Sequence, residues 1–160
     1  MATFKLSDWE EEEDVSLIGI HSSLPAYRVA YYINKHSDHC FERKQTDHEL
    51  FTDRIIATFP VYKDYDEKLQ TQLYLVANRF KGVLKGVSGT GLFETIDEEE
   101  ITVTLLKEYH KVDFILKIEQ NNMSYPVQKL INDLNKVQSF TSCYLLDYFK
   151  LKNKDYLIFE

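Results

Sequence analysis

Apolar and polar positions along this chain repeat with two different periods, and the changes of period mark its elements. Val15-Ser16-Leu17-Ile18-Gly19-Ile20 is apolar on both faces, the pattern of a strand inside a sheet. Ala26, Val29, Ala30 and Ile33 then recur at 3.6-residue spacing, which predicts a helix ending near Lys35-His36. Pro25 suits its first turn, and Ser22 or Ser23 is placed to cap it. Tyr27 and Tyr31 form a second stripe beside the apolar one. Strands are predicted over 40–45, 54–62, 68–79 and 101–106. Pro60 cannot donate to a ladder, which puts its strand near an edge or a bulge. Asp64-Tyr65-Asp66-Glu67 reads as a hairpin turn, and Lys81 to Gly91, with four of the five glycines, as the longest loop.

From Val112 to Glu119 the chain alternates, with Val112, Phe114, Leu116 and Ile118 on one side and Asp113, Lys117 and Glu119 on the other. Ile115 breaks the pattern of what is otherwise a half-buried strand. A second helix is predicted over 124–138, with Val127, Leu130, Ile131, Leu134 and Val137 on one face. Strands near 141–149 and 155–159 close the chain, joined by a turn at Lys152-Asn153-Lys154. This order predicts an α+β fold, a mainly antiparallel sheet with two helices on one face. There is also an internal echo. Val15–Ile20 leads to Ile33-Asn34-Lys35-His36 and Cys40-Phe41; Val112–Ile118 leads to Leu134-Asn135-Lys136-Val137 and Cys143-Tyr144. A duplicated strand-helix-strand-strand unit is the architecture this echo would imply.

Composition narrows the classes. The 160 residues fit one domain over 14–160, preceded by a lead-in, 1–13, that carries Trp9 and the run Glu10-Glu11-Glu12-Glu13. A net charge of -7 without a dense basic patch argues against a phosphate-binding nucleic-acid partner. No apolar run is long enough to span a bilayer. The first residues lack the pattern of a secretory leader, so a cytoplasmic location with Cys40 and Cys143 reduced is expected.

Leu106-Lys107-Glu108-Tyr109-His110-Lys111-Val112-Asp113-Phe114 resembles the signature of the IPExxxVDY family of Bacteroidota. Glu108, Val112 and Asp113 match; Leu106 stands for Ile and Phe114 for Tyr, and Lys107 departs from the family's Pro. His21-Ser22-Ser23-Leu24, Tyr27-Arg28-Val29-Ala30-Tyr31, Gly91-Leu92-Phe93 and Leu157-Ile158-Phe159 extend the likeness over most of 14–160. The resemblance implies no activity, cofactor or catalytic residue.

Candidate chemistry is sparse. His36, His39 and Cys40, with His48 nearby, fall short of the four spaced ligands of a structural zinc site, so no metal or other cofactor is expected. The glycines from Gly82 to Gly91 lack the Gly-Lys-Ser/Thr of a phosphate loop. Glu108 and Asp113 read as structural carboxylates, with Asp113 pairing a cation or backbone N–H groups. His21, Ser22 and Ser23, at a strand-to-helix turn, are the candidate ligand contacts, and no catalytic residue is assigned. The leading expectation is a non-enzymatic interaction or adaptor domain using Tyr27 and Tyr31, with a protein partner or a second copy. The alternatives are a ligand-binding domain with a pocket between helices and sheet and, behind it, an enzyme using His21.

Overall fold

The computed structural model describes residues 14–89, 91–121 and 124–159. Strand β1 (Val15–His21) leads into helix α1 (Ala26–His36). Then come β2 (Glu42–Arg43), β3 (His48–Phe51), β4 (Ile56–Phe59), β5 (Val61–Asp66), β6 (Thr71–Ala77), β7 (Arg79–Ser88), β8 (Thr95–Thr104) and β9 (Phe114–Glu119). Helix α2 (Val127–Asn135) and β10 (Ser142–Leu146) follow. Six strands form one antiparallel sheet in the order β10-β1-β9-β6-β5-β2; β3-β4 and β7-β8 are separate hairpins.

Both faces of this sheet are apolar, so both must be covered. Ile18, Ile20, Leu73, Leu75, Leu116 and Ile118 pack under the two helices, against Val29, Ala30, Ile33, Leu130, Ile131 and Leu134. Leu17, Val61, Val76, Ile115 and Leu146 point the other way. They are covered by Ala57 and Phe59 of the β3-β4 hairpin, by Leu105 and Leu106, and by Tyr148, Leu151, Leu157 and Phe159 near the C-terminus. The helices therefore lie on one face, as the apolar spacing predicts, but the second face carries a core of its own.

That second core corrects the reading of β9 as half-buried. Ile115 breaks the alternation because its side is also interior. Lys117 shares that side and is only 6% exposed. Its Nζ donates to the Leu157 carbonyl at 2.8 Å, lies 2.7 Å from Glu119 Oε1 and sits 5.8 Å from the centroid of Phe159. A buried ammonium needs such partners.

Other boundaries move for local reasons. The strand predicted over 54–62 divides at Pro60, where the chain leaves the covering hairpin and enters the sheet. The hairpin turn falls at 67–70, with Gln70 at φ 47°. The expected glycine loop is instead most of β7, paired with β8 from Arg79↔Thr104 to Ser88↔Thr95. Gly82 permits this, because a Cβ there would lie 2.7 Å from Ile55 Cδ1 and 2.8 Å from the Phe80 ring. The strand expected at 155–159 is a 3-10 turn, Lys154–Leu157, although Leu157 and Phe159 are buried. Neither helix has a side-chain cap at its N-terminus; each follows a proline, Pro25 or Pro126. Each also closes on an asparagine that grips the next segment. Asn34 accepts from Phe41 N at 2.7 Å and donates to its carbonyl at 3.1 Å; Asn135 does the same to Cys143 at 2.8 and 2.9 Å. Residues 1–13, with the acidic lead-in and Trp9, lie outside the described residues.

The C-terminal turn should hold the second core in place. Phe159→Ala removes a buried ring against Tyr74, His48 and Lys117, and is expected to cost about 3 kcal/mol of unfolding free energy in urea. An unchanged midpoint would show that the second core closes without it.

Candidate functional site

The turn after β1 is held from three directions. Ser22 N donates to Asp113 Oδ2 at 2.9 Å. The Ser22 hydroxyl donates to the Ser139 carbonyl at 3.0 Å and accepts from Leu24 N at 3.3 Å. It is thus buried in the turn and corrects the expectation of a helix cap; Ser23 is exposed. His21 Nε2 lies 2.8 Å from Tyr144 Oη with the rings stacked at 5.4 Å, and Nδ1 is 4.0 Å from Asp113 Oδ2. Asp113 also meets Arg79 Nη1 at 3.3 Å, while Arg79 donates to the carbonyls of His110 and Lys111. Carboxylate, imidazole and phenol therefore lie in a row at the surface. The Ser22 hydroxyl is committed to Ser139, so the row holds no activated nucleophile.

The segment resembling the family signature is anchored by a residue that periodicity does not single out. Asn78, between β6 and β7, is fully buried. Its backbone N donates to the Asp113 carbonyl and its carbonyl accepts from Leu105 N. Its Oδ1 accepts from Leu106 N at 2.8 Å, and Nδ2 donates to the carbonyls of Tyr109 and Val112, both at 2.9 Å. Leu106 and Val112 are buried in the second core, and Phe114 under the helices. Glu108 Oε1 accepts from Lys152 N at 3.0 Å, while Tyr109 Oη bridges the backbone N and O of Asp147 at 2.9 Å each. Lys107 opens a 3-10 turn, Lys107–Tyr109, the first-turn position that suits proline. Every residue of the segment that matches the signature thus has a structural task.

The histidines near the end of α1 separate. His36 stacks on Tyr32. The His39 side chain is buried, with Nδ1 2.7 Å from Asp64 Oδ2 and Nε2 hydrogen-bonded to Tyr125 Oη. Burial, followed by the charges of Asp66, Asp64, Asp133 and Asp38, holds the Tyr125 phenol well above its ordinary range. Cys40 is exposed; Cys143 is buried and its thiol is pushed up to about 12 by desolvation. Among the described residues, no three His, Cys, Asp or Glu side chains are placed to hold a metal ion.

Larger clefts lie on the second face. One of about 510 Å³ is bordered by Lys44, His48 and Phe159, and one of about 530 Å³ by Phe51, Arg54, Val103 and Tyr156. His48 meets Phe159 edge-on at 4.9 Å, and its buried Nε2 has no partner. Desolvation holds its imidazole below the ordinary range; Lys44 adds to that and a bond to the Tyr156 backbone opposes it. Tyr27 and Tyr31 are 64% and 58% exposed on the outer side of α1. No helix among the described residues is long and apolar enough to cross a membrane. Comparison with protein families, curated proteins and solved structures finds no match to this chain.

Two stability outcomes follow from this geometry. Asn78→Ala strands the Leu106 donor and the Tyr109 and Val112 acceptors in the interior, at an expected cost of about 3 kcal/mol in denaturant unfolding. The His48 pKa is lower folded than unfolded, so its contribution is complete above the unfolded value of about 6.5 and lost as pH falls through the folded one. Wild type should therefore lose more stability than His48→Gln below about pH 6.5; parallel stability-pH curves would refute this.

Proposed function

We propose that this chain is a cytoplasmic, non-enzymatic protein-interaction domain of the IPExxxVDY type, with the outer side of α1 as its recognition surface. The observation that carries the reading is the exposure of Tyr27 and Tyr31, two large aromatics one helical turn apart, on a helix whose opposite side is buried. Aromatic side chains with polar tips are favoured at interfaces. The candidate chemical groups support the same reading. Asp113, Glu108 and Ser22 hold backbone, and His39 is enclosed by Asp64 and Tyr125. Against a ligand pocket between helices and sheet stands the apolar packing of that layer by Ile18, Ile33, Leu116 and Leu134.

The architecture adds a proposal about origin. Pro25 to Asn34 and Pro126 to Asn135 have equal length, and each asparagine clamps the backbone that follows its helix. The two strands that precede the helices, β1 and β9, are antiparallel neighbours. These features support a duplicated strand-helix unit related by a twofold axis between β1 and β9. The second strand after α2, which a complete strand-helix-strand-strand repeat requires, is the 3-10 turn at Lys154–Leu157.

The interaction reading is tested by capture from a lysate of the source organism. Tyr27→Ala and Tyr31→Ala are expected to lose a partner that wild type, His21→Ala and Glu108→Ala retain, with circular dichroism showing intact folds. Equal capture by the tyrosine variants would move the surface elsewhere. A stoichiometric small molecule leaving with the purified protein would favour the ligand-binding alternative.

A further inference from the structure

The β7-β8 hairpin is an arm with two unlike faces. Phe80, Gly82, Leu84, Ile101 and Val103 are half-buried on the inner face, where Gly82 approaches Ile55. The outer face presents Lys81, Val83, Lys85 and Val87 from β7 and Thr102, Glu100, Glu98 and Ile96 from β8. Strand pairing sets each β7 residue level with one of β8: Lys81 with Thr102, Val83 with Glu100, Lys85 with Glu98, Val87 with Ile96. Val83, Val87 and Ile96 are 49%, 69% and 71% exposed. The face is mixed, with these three apolar side chains set among Lys81, Lys85, Thr102, Glu100 and Glu98, and a two-stranded ribbon gains from a second layer over its apolar positions.

The charges on this face are sorted by strand. The cations stand in the β7 column and the carboxylates in the β8 column. Two copies of such a face can meet about a twofold axis in two ways. An axis across the strands lays β7 on β7 and sets lysines against lysines. An axis along the strands lays β7 of each copy on β8 of the other. Lys85 then faces Glu98 of the second copy, and Val87 faces Ile96 of the second copy, each contact occurring twice. Within one arm Lys85 and Glu98 are 4.0 Å apart and exposed, a geometry of little worth in water. Closing the face excludes that water and adds the partner charge on the same side. We infer that the outer face of the β7-β8 arm is a homodimer interface, two copies packing face to face about a twofold axis parallel to the strands. This surface is separate from the tyrosines of α1, so dimerisation and partner capture fail independently.

The full chain tests this by sedimentation equilibrium. Wild type is expected to dimerise. Lys85→Glu sets like charges against Glu98 of the second copy, and Glu98→Lys does so against Lys85, so each alone should weaken association about tenfold or more. An equimolar mixture of these two variants should recover dimers, because each then faces opposite charges across the interface while its own arm keeps a like-charged pair. Val87→Gln, which leaves the charges untouched, should also weaken association. Wild type that stays monomeric at hundreds of micromolar overturns the inference. So does a Lys85→Glu variant that dimerises as tightly as wild type, or a mixture of folded variants that stays monomeric.

Discussion

The buried carboxamide of Asn78 is the constraint on which most of the structure depends. It satisfies one donor and two acceptors of the 105–113 loop, while its own backbone bonds the two ends of that loop at Leu105 and Asp113. Fixing the loop fixes what leaves it. Leu105 and Leu106 enter the second core, Asp113 is aimed at Ser22, and Phe114 starts β9 in register with β1 and β6. Buried polar groups that are fully paired specify one arrangement against near neighbours of similar apolar burial.

Lys117 is a second polar device in the interior, and a different one. It sits on β9 where an apolar residue of similar length would pack, and it reaches the Leu157 carbonyl and Glu119. An apolar replacement of such a buried pair is often neutral for stability. What the ammonium supplies is a fixed attachment for a C-terminal segment that has no strand partner of its own.

Legibility from sequence divides along physical lines. The helices were readable because Val29, Ala30, Ile33 and Leu130, Ile131, Leu134 meet the interior at helical spacing. Strand β1 was readable because both of its faces are covered. The arm was readable only at its end, where the strand predicted over 101–106 overlaps β8, since glycines in β7 and glutamates in β8 are ordinary loop signals. There the local preference is overridden by Gly82 packing on the neighbouring hairpin and by an outer face that tolerates charge. Asn78 was invisible because its role is set by backbone groups from another segment. The enclosed His39 depends on Asp64 and Tyr125, which come from two other parts of the chain. The row of His21, Asp113 and Tyr144 has the same character: His21 and the pairing of Asp113 with a cation and a backbone N–H were legible, their meeting with Tyr144 only through the pairing of β1 with β9 and β10.

The placement of β9 has a consequence for synthesis. Strand β1 precedes the other described strands in the chain, yet both of its neighbours are encoded roughly a hundred residues or more downstream. Until β9 appears, β1 has two open edges and β6 has one, and neither core can close. The nascent chain therefore gains little by folding in steps, and its first two thirds present apolar strands to whatever chaperones attend translation. The middle of the sheet is filled late, by β9, and β10 closes its edge later still.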